Sequence, residues 1–140
     1  MGLTASIDIE LEKQLDGNFF ETEVLLNNWG FNDYDSISYI PLNESDFEWI
    51  KVPFSEKERV MKEIVNKLNK NEVVGIILTL NESNIGGQLI YFPNRKMISF
   101  NININRITLP SGKTDFEWYE NNFEKMFEKY NIKSINHTEY

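Results

Sequence analysis

Residues 73–109 read VVGIILTLNESNIGGQLIYFPNRKMISFNININRITL, and the class of fold rests on how this stretch divides. Val73 to Leu80 is a nearly continuous apolar run of strand length, rich in β-branched residues. Such a run predicts a central strand with both faces covered, or nearly so. The loop NESNIGG follows, and Gly87 to Phe92, GQLIYF, forms a second strand. Pro93-Asn94 is a turn pair, because proline presets one dihedral and asparagine tolerates the next. Lys96 to Leu109 is a third strand with clean alternation. Ile98, Phe100, Ile102 and Ile104 fall on one side, and Ser99, Asn101, Asn103 and Asn105 on the other. Three successive strands joined by short loops make an antiparallel meander, which Pro110-Ser111-Gly112 ends.

The flanks add helices and one more long strand. Thr114 with Glu117 has capping-box spacing, and Phe116, Tyr119, Phe123, Met126 or Phe127, and Tyr130 follow at steps of three and four. This predicts an amphipathic helix over 115–129. The tail is either a short strand around Ile132–Ile135 or a loose end. Upstream, Ser55 with Glu58 is another capping box. It opens a helix whose apolar face is Val60, Met61, Ile64, Val65 and Leu68. Glu58 with Lys62, and Glu63 with Lys67, are read as i,i+4 ion pairs on its exposed side. Ile37, Tyr39 and Leu42 suggest a short strand that Pro41 limits to an edge. Asn18 with Glu21 caps a helix over 19–28, with Phe19, Phe20, Val24 and Leu25 as its stripe and Gly30 as its stop. Leu3, Ala5, Ile7, Ile9 and Leu11 alternate with polar residues, as in a half-buried strand.

The order is βα, short β, α, βββ, α. It predicts one α+β domain over 1–140: an antiparallel sheet, built from the C-terminal three-stranded meander plus the N-terminal strand, with about three helices packed on one face.

Ser45-Asp46-Phe47-Glu48-Trp49-Ile50 returns as Thr114-Asp115-Phe116-Glu117-Trp118-Tyr119. The shared S/T-D-F-E is a helix-start signal. The second copy runs on into a helical stripe, whereas the first meets Pro53, which leaves room for one helical turn at most.

With 22 acidic and 14 basic residues the chain carries a formal charge of −8. Phosphate backbones would be repelled, so nucleic acid is a poor partner; the acidity either favours a basic protein or only keeps the chain soluble. No apolar run approaches the roughly 20 residues of a membrane helix. The chain has no cysteine, which removes thiolate catalysis, disulfides and cysteine-based zinc sites. There is no nucleophile elbow, no phosphate-binding glycine loop and no zinc-type histidine pair. No catalytic residue, cofactor or metal ligand is assigned.

Several groups remain. Gly86-Gly87 reads as a bulge or turn at a strand entrance. Glu10 with Glu12, and Glu21 with Glu23, read as solvated carboxylates, and His137 as an exposed side chain. Asn101, Asn103 and Asn105, with Arg106 beside them, are either an ordinary wet sheet face or a polar recognition face. The densest acidic stretch is Asp33, Asp35, Glu44, Asp46 and Glu48, interleaved with Tyr34, Tyr39, Phe47 and Trp49. It reads either as turns with core aromatics or as a protein interface, where aromatic anchors supply area and acids meet basic groups. On the second reading Asp33, Asp35, Glu44, Asp46, Glu48 and Trp49 bind the partner.

The passages VVGIILTLNESNIGGQLIYFPNRKMISFNININR and TDFEWYENNFEKMFEKY give the chain its likeness. A glycine-broken hairpin leads into an alternating strand and then an aromatic helix, in a small, acidic, cysteine-free domain. In this it resembles bacterial immunity proteins of polymorphic-toxin and contact-dependent growth inhibition systems. The resemblance is one of character over residues 70–140. It implies a cytoplasmic, non-enzymatic inhibitor that binds a cognate toxin domain, often a nuclease. It carries no residue over by position. Two other readings stay open: a small-ligand or carboxylate-using enzyme domain, and a self-associating module.

Overall fold

A computed structural model describes residues 4–24, 36–43, 48–80 and 83–139. Its frame is a seven-stranded sheet: β1 (Ala5–Leu11), β2 (Ser36–Tyr39), β3 (Ile50–Pro53), β4 (Val74–Thr79), β5 (Gly86–Phe92), β6 (Met97–Ile104) and β7 (Ile132–Glu139). The spatial order is β3-β2-β4-β5-β6-β1-β7, and every neighbouring pair is antiparallel. The expected α+β class holds, and the meander β4-β5-β6 lies at its centre. The helices are α1 (Lys57–Asn69), α2 (Phe116–Met126) and a π-helical segment, Phe19–Val24.

The alternation read from the sequence sets which face is buried. Ala5, Ile7, Ile9 and Leu11 of β1 join Ile98, Phe100 and Ile102 of β6, with Leu89, Tyr91, Val74, Ile76, Leu78, Ile37 and Tyr39 from the neighbouring strands. The helices cover this face with Val60, Met61 and Ile64 from α1 and Tyr119 and Phe123 from α2. Aromatic rings fill the middle. Phe19 stacks on Phe127 at 5.1 Å and meets Phe20 edge-on at 5.0 Å, and Phe100 meets Phe123 edge-on at 4.9 Å. These offset and T-shaped arrangements are the ones ring quadrupoles favour.

The opposite face is only half covered. Ser6, Asp8 and Glu10 stand opposite Asn101, Ser99 and Met97, and β5 continues these rows with Gln88, Ile90 and Phe92. Between Gly86 and Gly87 the register slips. A Cβ on Gly86 would lie 2.0 Å from the Leu78 carbonyl oxygen, and one on Gly87 would lie 1.9 Å from that of Asn101. The glycine pair is therefore a bulge at the strand entrance that allows close backbone approach.

Several expectations need correction. β2 is an interior strand, with β3 outside it. Pro41 lies beyond its end and so interrupts no ladder. The segment 50–53 is the edge instead, short and ending in Pro53, as edges that resist further pairing tend to be. β6 stops at Ile104, because Asn105 takes φ +48° and turns the chain. The tail is an eight-residue edge strand. The capping boxes also differ. Asp115 Oδ1, not Thr114, accepts from the Trp118 amide, and Asp16 Oδ1 accepts from Phe19 N. α1 has no side-chain cap, because a 3-10 turn at Phe54–Glu56 feeds it directly. Among the described residues no helix is long and apolar enough to cross a membrane.

Candidate functional site

Of the six residues expected to bind a partner, Asp33, Asp35, Glu44 and Asp46 lie outside the described residues, as does Phe47. Glu48 is exposed and Trp49 is half-buried. Strand alternation puts Gly75 of β4 on the half-covered face, opposite Val74 and Ile76, which point into the core. A Cβ on Gly75 would meet Ile40 Cδ1 at 2.5 Å and Trp49 Cη2 at 3.1 Å. The absent side chain is what lets Ile40 and Trp49 lie against the sheet there. Trp49 is thus an anchored aromatic beside an exposed carboxylate.

The turn leading to this pair is fastened by three side chains, Glu63 and Lys67 of α1 and Glu72 just beyond its end. Glu63 Oε1 accepts from the Tyr39 hydroxyl at 3.0 Å and from Arg59 Nη1 at 3.2 Å, while its Oε2 accepts from Leu42 N at 2.8 Å. Lys67 is fully buried, and its ammonium donates to the carbonyls of Ile40 at 2.8 Å and Pro41 at 3.0 Å. Glu72 Oε1 accepts from Asn43 N at 2.8 Å. Burial first, and then the bond to Glu63, hold the Tyr39 phenol above its ordinary pKa. Lys67 therefore does not belong to an exposed ion-pair row, as its spacing from Glu63 suggests. Charge-assisted bonds of this kind are about twice as strong as neutral ones, so they fix residues 39–43 as a rigid base for the chain that follows.

A second constellation joins α2 to β7. Thr114 N donates to Glu139 Oε2 at 2.8 Å, and the Thr114 hydroxyl donates to the same oxygen. Arg106 Nη1 bonds Thr114 Oγ1 at 2.9 Å and approaches Glu139 at 3.5 Å. The Thr114 hydroxyl, then its amide and the Arg106 charge, hold the Glu139 carboxyl below the usual range against a smaller opposing effect of burial. His137 stacks on Phe116 at 4.1 Å, and its Nδ1 lies 3.2 Å from Glu120 Oε2. Beyond it opens a groove of about 600 Å³ lined by Glu12, Glu120, Glu124, Glu128, Ile132 and Ile135.

The asparagine row does not act as a unit. Asn101 Nδ2 bonds Gln88 Oε1 at 3.4 Å, Asn103 is exposed, and Asn105 Nδ2 bonds the Asn84 carbonyl at 2.6 Å. Arg106 turns away to Thr114 and Glu139. The carboxylates Glu120, Glu124 and Glu128 do not figure among the candidate residues read from the sequence. The available signal was their spacing: Glu120, Glu124 and Glu128 repeat at i,i+4, which costs a helix stability when the charges are alike. Among the described residues no three metal-binding side chains converge.

Comparison with protein-family models, with curated proteins and with solved structures finds no match to this chain.

Proposed function

We propose that the protein is a non-enzymatic inhibitor that binds a basic partner domain. In this reading it is an immunity protein that neutralises a cognate bacterial toxin domain in the cytoplasm. The observation that carries the reading is the Glu48–Trp49 pair. An anchored aromatic beside an exposed acid, on a segment whose base is fastened to α1, is the composition of an interface anchor. Preorganisation of that base lowers the ordering cost of association. The acidic residues that precede the pair in sequence, Asp33, Asp35, Glu44 and Asp46, would extend a negative field toward a basic partner and raise the encounter rate.

Combined reversal of charge in Asp46→Lys and Glu48→Lys tests this reading. Association with the proposed basic toxin domain should slow by about tenfold at low salt and by less at high salt. An unchanged association rate at low salt would overturn these acidic residues as the binding surface.

A further inference from the structure

β7 is the outer strand of the sheet, and among the described residues nothing pairs with its free side. It is eight residues long, where the other edge strand, β3, has four and ends in proline. A long strand with one unpaired side presents a row of backbone N–H and C=O groups ready to accept another strand.

The helix above this edge says what that strand would carry. α2 and the residues flanking it run antiparallel to β7. Thr114 bonds Glu139, Phe116 and Glu120 meet His137, and Glu128 shares the groove with Asn131 and Ile132. Tyr119 and Phe123 turn inward to the core, so Glu120, Glu124 and Glu128 line the edge. Glu120 and Glu124, four apart in α2, stand about 6 Å apart along the helix axis, and Glu128 opens the 3-10 turn that follows. Alternate residues of an extended strand advance about 6.8 Å. Glu120 and Glu124 therefore match the pitch of every second side chain on a strand laid beside β7, and Glu128 adds a third carboxylate to the same groove. Ile135 and His137 pair with Ile9 and Ile7, so they share the helix-covered face. Side chains of the added strand on that face would point toward the carboxylates.

We propose that β7 and α2 form a docking site for an extended, basic segment of another protein, bound by strand addition with Lys or Arg at alternate positions. A second copy of this chain fits poorly. Pairing β7 with its own symmetry mate would bring two Glu120–Glu124–Glu128 rows together, and like charges at close range oppose that association. The site is separate from the Glu48–Trp49 surface and does not need it.

The test uses the full-length protein, isotopically labelled, titrated at about 50 mM salt with a short peptide alternating lysine with valine or threonine. A second peptide of the same sequence is N-methylated at those amides that would face β7. The unmodified peptide should shift the β7 resonances and slow exchange of the outward amides of Ile132–Glu139. N-methylation should weaken binding at least about tenfold, since it removes the backbone bonds and keeps the charge. The exposed double variant Glu124→Gln/Glu128→Gln should weaken binding of the unmodified peptide by a similar factor. Equal binding of the two peptides would reduce the effect to non-specific charge and overturn strand addition. So would absence of binding, or slow β7 exchange in a peptide-free dimer. The Glu48–Trp49 reading is judged by the effect of Asp46→Lys with Glu48→Lys on the rate of toxin association, so either reading can fail alone.

Discussion

The buried ammonium of Lys67 donates to the carbonyl of Ile40 at 2.8 Å, across 27 residues of chain. A charge taken out of water is tolerated only when its donors are used, and here they hold a turn that strand pairing alone would leave free. Lys67→Met keeps the stem and removes the donors, leaving the Ile40 and Pro41 carbonyls without them. Stability should fall by about 1–3 kcal/mol in urea unfolding. A variant as stable as the parent would mean that the ammonium does not fasten the turn.

Glu63 accepts from both Tyr39 and Leu42, so its loss should loosen the same turn from the other side. In Glu63→Ala the Leu42 amide should exchange with solvent at least about tenfold faster, while the amides of β5 and β6 stay protected. Uniform acceleration across the sheet would point to global destabilisation instead.

Alkaline stability follows from three tyrosines. Burial raises the phenols of Tyr39, Tyr91 and Tyr119 in the folded state. Below pH about 10, the ordinary tyrosine value, both states keep these protons and the stability is complete. Above it the unfolded chain ionises first, so stability falls as pH rises toward the folded values. Ultraviolet titration should show these three ionising late and together with base unfolding. Titration of all six tyrosines near pH 10 in a folded chain would contradict the packing.

On the acid side Glu139 has the opposite sign. Its folded pKa is depressed, chiefly by the Thr114 hydroxyl. Its contribution is present above the ordinary carboxylate pKa and is lost as pH falls through the folded value. Glu139→Gln should lower the melting temperature at pH 7 and narrow the gap to the parent as pH approaches 2. A gap that does not narrow would assign the loss to packing.

The bulge gives a sharper steric test. Gly87→Ala would drive a Cβ to 1.9 Å from the Asn101 carbonyl oxygen, whereas Gly112, at φ +88°, has open space around it. Gly112→Ala should cost about 1 kcal/mol for its backbone conformation alone. Gly87→Ala should cost clearly more, by the same urea measurement. Equal costs would argue against the bulge geometry.

Much of this frame was legible because period two is a strong signal. MISFNINI and ASIDIEL placed every second residue correctly, and the glycine pair announced its bulge. Helix starts were less legible. Thr114 and Asp115 are both capping residue types, and the choice between them fell to Glu139, 25 residues away, which takes the Thr114 hydroxyl. Lys67 was misread for a similar reason: local spacing offered it Glu63, and only the fold brought it the carbonyls of Ile40 and Pro41. β7 was hard to see because its neighbour, β1, lies at the other end of the sequence. Glu120, Glu124 and Glu128 gained meaning only when that strand appeared beside them.

The central claim is that this acidic domain binds and neutralises a basic protein domain. Its most direct measurement is association of the purified protein with the proposed cognate toxin domain, followed from low to physiological salt. The account predicts a one-to-one complex whose association rate falls by about tenfold or more across that range, with loss of the partner's toxicity on co-expression. No complex at micromolar concentration, or a complex that leaves the toxicity intact, would contradict it.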